Sequence, residues 1–209
     1  MIALLDYGSG NIRSVEKALR AAGAEVSRMG FAADLKSARG VVLPGVGAFD
    51  DCLNALRRQE LDGAVKDWCD SGKPFLGICV GYQALFERSA EFNSCARGLG
   101  IFAGPVVRFQ PTEQEPNLKI PQIGWNEVEI ARQDCPLFAG IPDRSYFYFV
   151  HSFYPKPADD SIVAGRTEYG GTFASAVCRD NVWATQFHPE KSQSVGLRLL
   201  RNFVEFAGN

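Results

Sequence analysis

The chain has 209 residues, 46% hydrophobic and 22% charged, with a net charge of −2. This is an ordinary globular composition without the basic excess of a nucleic-acid or acidic-membrane binder, so neither partner is expected. No signal-peptide core forms before Asp6, and the six cysteines are irregularly spaced with no Cys-x-x-Cys pair; one domain over 1–209, in a reducing cytoplasm and without cofactor or metal, is expected.

In chain order, Ile2 to Leu5 reads as a buried strand, and Ile12, Val15, Ala18, Leu19 and Ala22 recur at helical spacing until Gly23. Glu25 to Met29 and Val41 to Leu43 predict further short strands. Helical patterns run through Cys52, Leu53 and Leu56, then through Leu61, Val65 and Trp68. Phe75 to Ile78 predicts another strand, followed by a helical face that continues through Ala84 and Leu85. Strands alternating with helices predict an α/β fold with an open, mostly parallel central sheet and flanking helices, its ligand sites at the strands' C-terminal ends.

From about Ile101 the chain becomes an additional strand-rich region, with segments at Val106 to Phe109, Ile123 to Ile130, Tyr146 to Val150, Ile162 to Thr167, Phe173 to Cys178 and Val182 to Gln186. Pro111 to Pro116 and Pro155 to Asp160 read as loops. Val195, Leu199, Leu200, Phe203 and Phe206 then place a last helix against the sheet.

Chemistry concentrates at Gly77-Ile-Cys79-Val-Gly81, a strand-to-helix turn with the pattern of a nucleophile elbow built on cysteine. A thiol at a helix start is biased toward thiolate, and the N–H of Val80 is available to an oxyanion. The competing reading is a buried, inert cysteine between packing glycines. The chain has two histidines, and His188 is the better base: it follows the strand Trp183 to Phe187, and Glu190 lies two residues on, able to accept an imidazole N–H. Taken singly, each has a bland alternative as a surface histidine or a solvated acid. A zinc site from Cys79, His188 and Glu190 lacks an evident further ligand. Pro44-Gly-Val46-Gly47-Ala48 ends a strand and can bring a second oxyanion donor. Gly8-Ser-Gly-Asn11 is a poor dinucleotide fingerprint, since Arg13 occupies the third glycine position.

With these residues assembled, the chain resembles the class I, triad-type glutamine amidotransferases, and within them the glutaminase branch serving histidine biosynthesis. The resemblance runs end to end, through Asp6-Tyr-Gly-Ser-Gly-Asn11, Leu43-Pro-Gly-Val-Gly-Ala-Phe49, the elbow, Pro121-Gln-Ile-Gly-Trp-Asn126, Tyr148-Phe-Val-His-Ser152 and Gln186-Phe-His-Pro-Glu-Lys-Ser192. It implies that Cys79 attacks the side-chain amide of L-glutamine, that His188 relays protons and that Glu190 orients it. It implies an oxyanion hole at Val80, Val46 and Gly47, and glutamine held by Gln83, Glu91 and the Ser152–Phe153 segment. Ammonia would pass to a cyclase subunit of (β/α)8 fold in a heterodimer, through contacts at Ser9, Asn11, Trp125, Tyr148 and Lys191. His151 would be an interface or supporting group. Tyr82 and Phe153 depart from the family's usual Met and Tyr. Another amidotransferase branch, a general α/β cysteine hydrolase and a non-catalytic regulatory subunit remain the alternatives.

Overall fold

The computed structural model describes residues 1–8, 11–91, 94–113 and 115–208. The first half alternates as its apolar periodicity requires. Strand β1 (Ile2–Leu5) is wholly buried and leads into α1 (Ile12–Ala21), which buries Ile12, Val15 and Leu19. β2 (Val26–Met29), β3 (Gly40–Gly45), the helices α2 (Phe49–Arg58) and α3 (Leu61–Asp70), and β4 (Phe75–Cys79) follow. β3 and β4 are buried at every position, as strands covered on both faces must be.

The helix after β4 differs from its apolar spacing. α4 is one turn, Val80–Gln83. The carbonyls of Ala84, Leu85 and Phe86 accept from Leu99, Ile101, Phe102 and Gly100; a returning segment takes the acceptors a longer helix would use. The chain then forms β5 (Arg88–Ser89), β6 (Pro105–Arg108), β7 (Gln122–Ile130), β8 (Ser145–His151) and β9 (Phe153–Pro155), of which the periodicity marks neither β5 nor β9. β10 (Val163–Glu168), β11 (Thr172–Arg179), β12 (Val182–Thr185) and the final helix α5 (Gln193–Gly208) complete it.

Among the described residues, nine strands form one sheet in the order β2-β1-β3-β4-β12-β11-β10-β7-β8. β2 to β12 pair in parallel, and the four strands beyond β12 add antiparallel to it. The strand-rich second half is therefore mostly an extension of the same sheet, with β5, β6 and β9 forming a small second one. α5 packs back through Leu199, Leu200 and Phe203, and its buried Asn202 donates to the Leu137 and Ala139 carbonyls at 2.9 Å. No helix among the described residues is long and apolar enough to cross a membrane. The order matters for function because β3, β4 and β12 lie side by side, with their C-terminal ends at one edge.

Candidate active site

β4 ends at Cys79, which lies opposite Gly45 of β3, while Ile78 lies opposite Thr185 of β12. Register alone therefore brings Val46 and Gly47, Cys79 and Val80, and the residues following Thr185 to one place. Cys79 has φ 55° and ψ −109°, a strained backbone for a non-glycine residue and the mark of an elbow that pushes its side chain off the strand. The bend is possible because its neighbours lack side chains. A Cβ on Gly45 would sit 2.5 Å from the Gly81 nitrogen, and one on Gly81 would collide with the Leu43 carbonyl.

His188 lies just past β12 in a buried turn. Its Nδ1 is 2.8 Å from Glu190 Oε1, and both side chains are shielded from solvent. Since a carboxylate only accepts, Nδ1 carries the proton toward Glu190 and Nε2 is left for another partner. Nε2 makes no well-aligned hydrogen bond. Burial pushes the His188 pKa down, but the adjacent Cys79 sulfur and then Glu190 outweigh it, raising it from 6.5 to about 10. The turn is stitched to β8: His188 N donates to the Tyr148 carbonyl at 2.9 Å, and Ser192 Oγ joins the His188 carbonyl at 2.6 Å to the Tyr148 N–H at 3.0 Å.

Cys79, Val80, Val46, Gly47, His188, Gln83, Glu91, Ser152 and Phe153 all border one cavity of about 420 Å³, large enough for an amino acid. Glu91 Oε2 accepts from Phe49 N at 2.7 Å, capping α2; burial raises its pKa, and that bond partly offsets the rise. Gln83 commits its NH2 to the Phe153 carbonyl at 2.9 Å and to Gln186 Oε1 at 3.2 Å. The two departures from the usual pattern are accommodated: Tyr82 is buried with its hydroxyl 3.3 Å from the Ala174 carbonyl, and Phe153 is buried.

The expected partner-facing residues also assemble, apart from Ser9, which lies outside the described residues. Trp125 and Tyr148 are cross-strand neighbours on β7 and β8 with ring centroids 6.0 Å apart, and Lys191 Nζ sits 5.6 Å over the Tyr148 ring. Asn11 Nδ2 approaches Glu190 Oε1 at 3.5 Å. Lys191 borders the cavity as well, so this surface and the cavity are continuous.

Three residues near Cys79 stand in the quoted motifs, which mark no role for them at the cysteine and mark His151 only as an interface or supporting group. Gln186 is fully buried with Nε2 3.7 Å from Cys79 Sγ. His151 borders the cavity, and its Nδ1 donates to the Phe153 carbonyl at 2.9 Å. Tyr7 donates to the Pro44 carbonyl at 2.8 Å, bracing the segment before Val46. Gln186 stands two residues before His188 in the sequence, the one signal that could have marked it.

The family model for "Glutamine amidotransferase class-I" matches residues 3–206. An "Imidazole glycerol phosphate synthase subunit HisH" from Rhodopirellula baltica is 47% identical over 98% of this chain and 97% of that protein. Another of the same description, from Syntrophotalea carbinolica, is 48% identical over 97% and 98%. Among solved structures, one described as glutamine amidotransferase superposes with TM-score 0.76 at 20% identity, covering 100% of this chain and 99% of that one. PurLQS from Thermotoga maritima does so with TM-score 0.77 at 19% identity, covering 98% and 97%. At that identity the structures speak to fold alone, whereas the family match and the full-length relatives decide membership: the chain belongs to the class-I glutamine amidotransferases, in the branch of the imidazole glycerol phosphate synthase subunit HisH.

Proposed function

We propose that this chain is a single-domain glutaminase subunit in which Cys79, His188 and Glu190 hydrolyse L-glutamine and deliver the ammonia to a cyclase subunit that makes imidazole glycerol phosphate and AICAR. The reading rests above all on the buried His188–Glu190 pair, 2.8 Å apart, set against an elbow cysteine on the wall of one cavity. Cys79 sulfur, as thiolate, attacks the side-chain carbonyl carbon of glutamine. The resulting oxyanion is met by backbone N–H groups of Val80 and of the Val46–Gly47 segment. His188 Nε2 gives its proton to the departing nitrogen, the C–N bond breaks, and ammonia leaves a γ-glutamyl thioester. Water then attacks the thioester with His188 as base, releasing glutamate and restoring the thiolate.

Glu91 and the Ser152–Phe153 backbone hold the amino-acid end of glutamine, and Gln83 frames that subsite. The partner docks on Asn11, Trp125, Tyr148 and Lys191, forming a cytoplasmic heterodimer whose overall reaction is a lyase's. The resemblance implies a (β/α)8 cyclase, and Lys191, shared by the cavity edge and the docking surface, puts ammonia release beside the partner.

The test is glutamate release by the purified chain, with and without the cyclase and its ribonucleotide substrate. A low rate alone that rises with the occupied partner is expected, and Cys79→Ala should abolish both. Negligible release under both conditions, or normal turnover by Cys79→Ala, would overturn the assignment.

A further inference from the structure

Two buried amides lie beside the nucleophile: Gln83, which frames the glutamine subsite, and Gln186, which has no part in the steps above. Gln83 follows the elbow on α4, and Gln186 follows β12. The Phe153 carbonyl can only accept, so Gln83 must turn its NH2 toward it. The same NH2 meets Gln186 at 3.2 Å, and only the oxygen of Gln186 can face it without setting donor against donor. With its oxygen so committed, Gln186 directs Nε2 at Cys79 Sγ, 3.7 Å away. His151 Nδ1 holds the Phe153 carbonyl from its other side at 2.9 Å. The orientation of the amide next to the sulfur is thus set by a carbonyl two residues removed along the network.

We propose that Gln186 is a positioning residue for the nucleophile: its N–H, oriented by Gln83 and the Phe153 carbonyl, donates to the Cys79 sulfur and holds it as thiolate at the cavity wall. The inference rests on the nucleophilic role assigned to Cys79. An N–H donor favours the anionic sulfur and so raises the fraction of thiolate at neutral pH, a gain larger than the accompanying fall in its intrinsic nucleophilicity. Loss of the donor therefore slows attack more than it weakens glutamine binding.

The titratable groups that face Cys79 are His188 after β12, with Glu190 bonded to its far nitrogen, Tyr7 after β1 and Cys52 on α2, while Glu91, His151 and Lys191 border the cavity. All remain in Gln186→Met, which keeps side-chain length but removes the donor. Iodoacetamide labelling of Cys79 is followed against pH in the full chain, with peptide mapping to separate it from the exposed Cys95. In Gln186→Met the labelling midpoint should move up and the neutral-pH rate should drop about tenfold, with kcat falling and KM for glutamine within about twofold. In the unaltered chain the side-chain amide resonance of Gln186 should shift with the Cys79 labelling midpoint, and Cys79→Ser should lose that shift. An unchanged midpoint in folded Gln186→Met, or a flat Gln186 resonance in the unaltered chain, overturns the proposal. A moving resonance in a chain that releases no glutamate would support Gln186's role while removing the glutaminase reading.

Discussion

The two histidines show how far environment divides one side chain. His188 lies beside Cys79 and Glu190 and is raised to about 10, whereas His151 is driven down to about 3 by burial, which its bond to the Phe153 carbonyl only partly offsets. Rings of Phe109, Phe149 and Phe173 surround His151, with centroids 5.1 to 5.7 Å away. The signs follow by linkage. Stability from His188 is complete below its unfolded value near 6.5 and is lost as pH rises through about 10. Stability from keeping His151 neutral is present above 6.5 and is lost as pH falls toward about 3. Only one imidazole should therefore titrate by NMR in the alkaline range. Glu190→Gln should move that midpoint toward 6.5 and lower kcat by about a hundredfold; a midpoint that stays put would mean Cys79 alone holds the proton on His188. The position of His188 after a strand was legible in its neighbours, but the neutral state of His151 was not, because two of the rings enclosing it, Phe109 and Phe173, come from other segments.

At the scale of elements, the elbow depends on backbone meeting backbone. A methyl on Gly45 or Gly81 must part β3 from α4. Gly45→Ala and Gly81→Ala should each lose about 1–3 kcal/mol of stability and most of the glutaminase rate, as followed by urea unfolding and glutamate release. Gly63 sits within α3 with nothing within 4 Å of an added Cβ, so Gly63→Ala should gain up to about 1 kcal/mol and leave the rate alone. Equal effects at the three glycines would deny the elbow its special packing. The brevity of α4 belongs here too. Ala84 and Leu85 keep helical spacing in the sequence, but the segment returning through Leu99 to Phe102 captures their carbonyls. A competitor so far along the chain leaves no trace in local periodicity.

At the scale of the molecule, the β7–β8 ribbon closes one end of the large sheet and presents an apolar outer face. Ile123 is 63% exposed, Trp125 45% and Tyr146 55%, and pleat alternation puts them with Tyr148 on one side. Exposed apolar surface of this kind beside the cavity is what the proposed docking surface requires. The same ribbon carries Tyr148, whose backbone anchors His188, so a partner seated there would touch the element that holds His188. Trp125→Ala should weaken binding of the cyclase subunit by about 2 kcal/mol or more, near thirtyfold in Kd, while leaving the unfolding midpoint unchanged. Calorimetric titration of the two subunits reads the first and urea unfolding the second. Unaltered affinity would move the docking surface elsewhere.

What the sequence determined by itself was whatever depends on neighbours in the chain: the alternation of strand and helix, the glycine-flanked elbow at Cys79, and a histidine followed two residues later by an acid. Its motifs also named residues that do line the cavity, from Val46 to Phe153. Only the tertiary structure decided what depends on strands meeting across the sheet: the antiparallel extension of the parallel half, the amide of Gln186 against the sulfur, and the opposite protonation of two like side chains. Local pattern carries backbone propensity and burial, whereas hydrogen-bond partners and charge environments are contributed by segments many residues away.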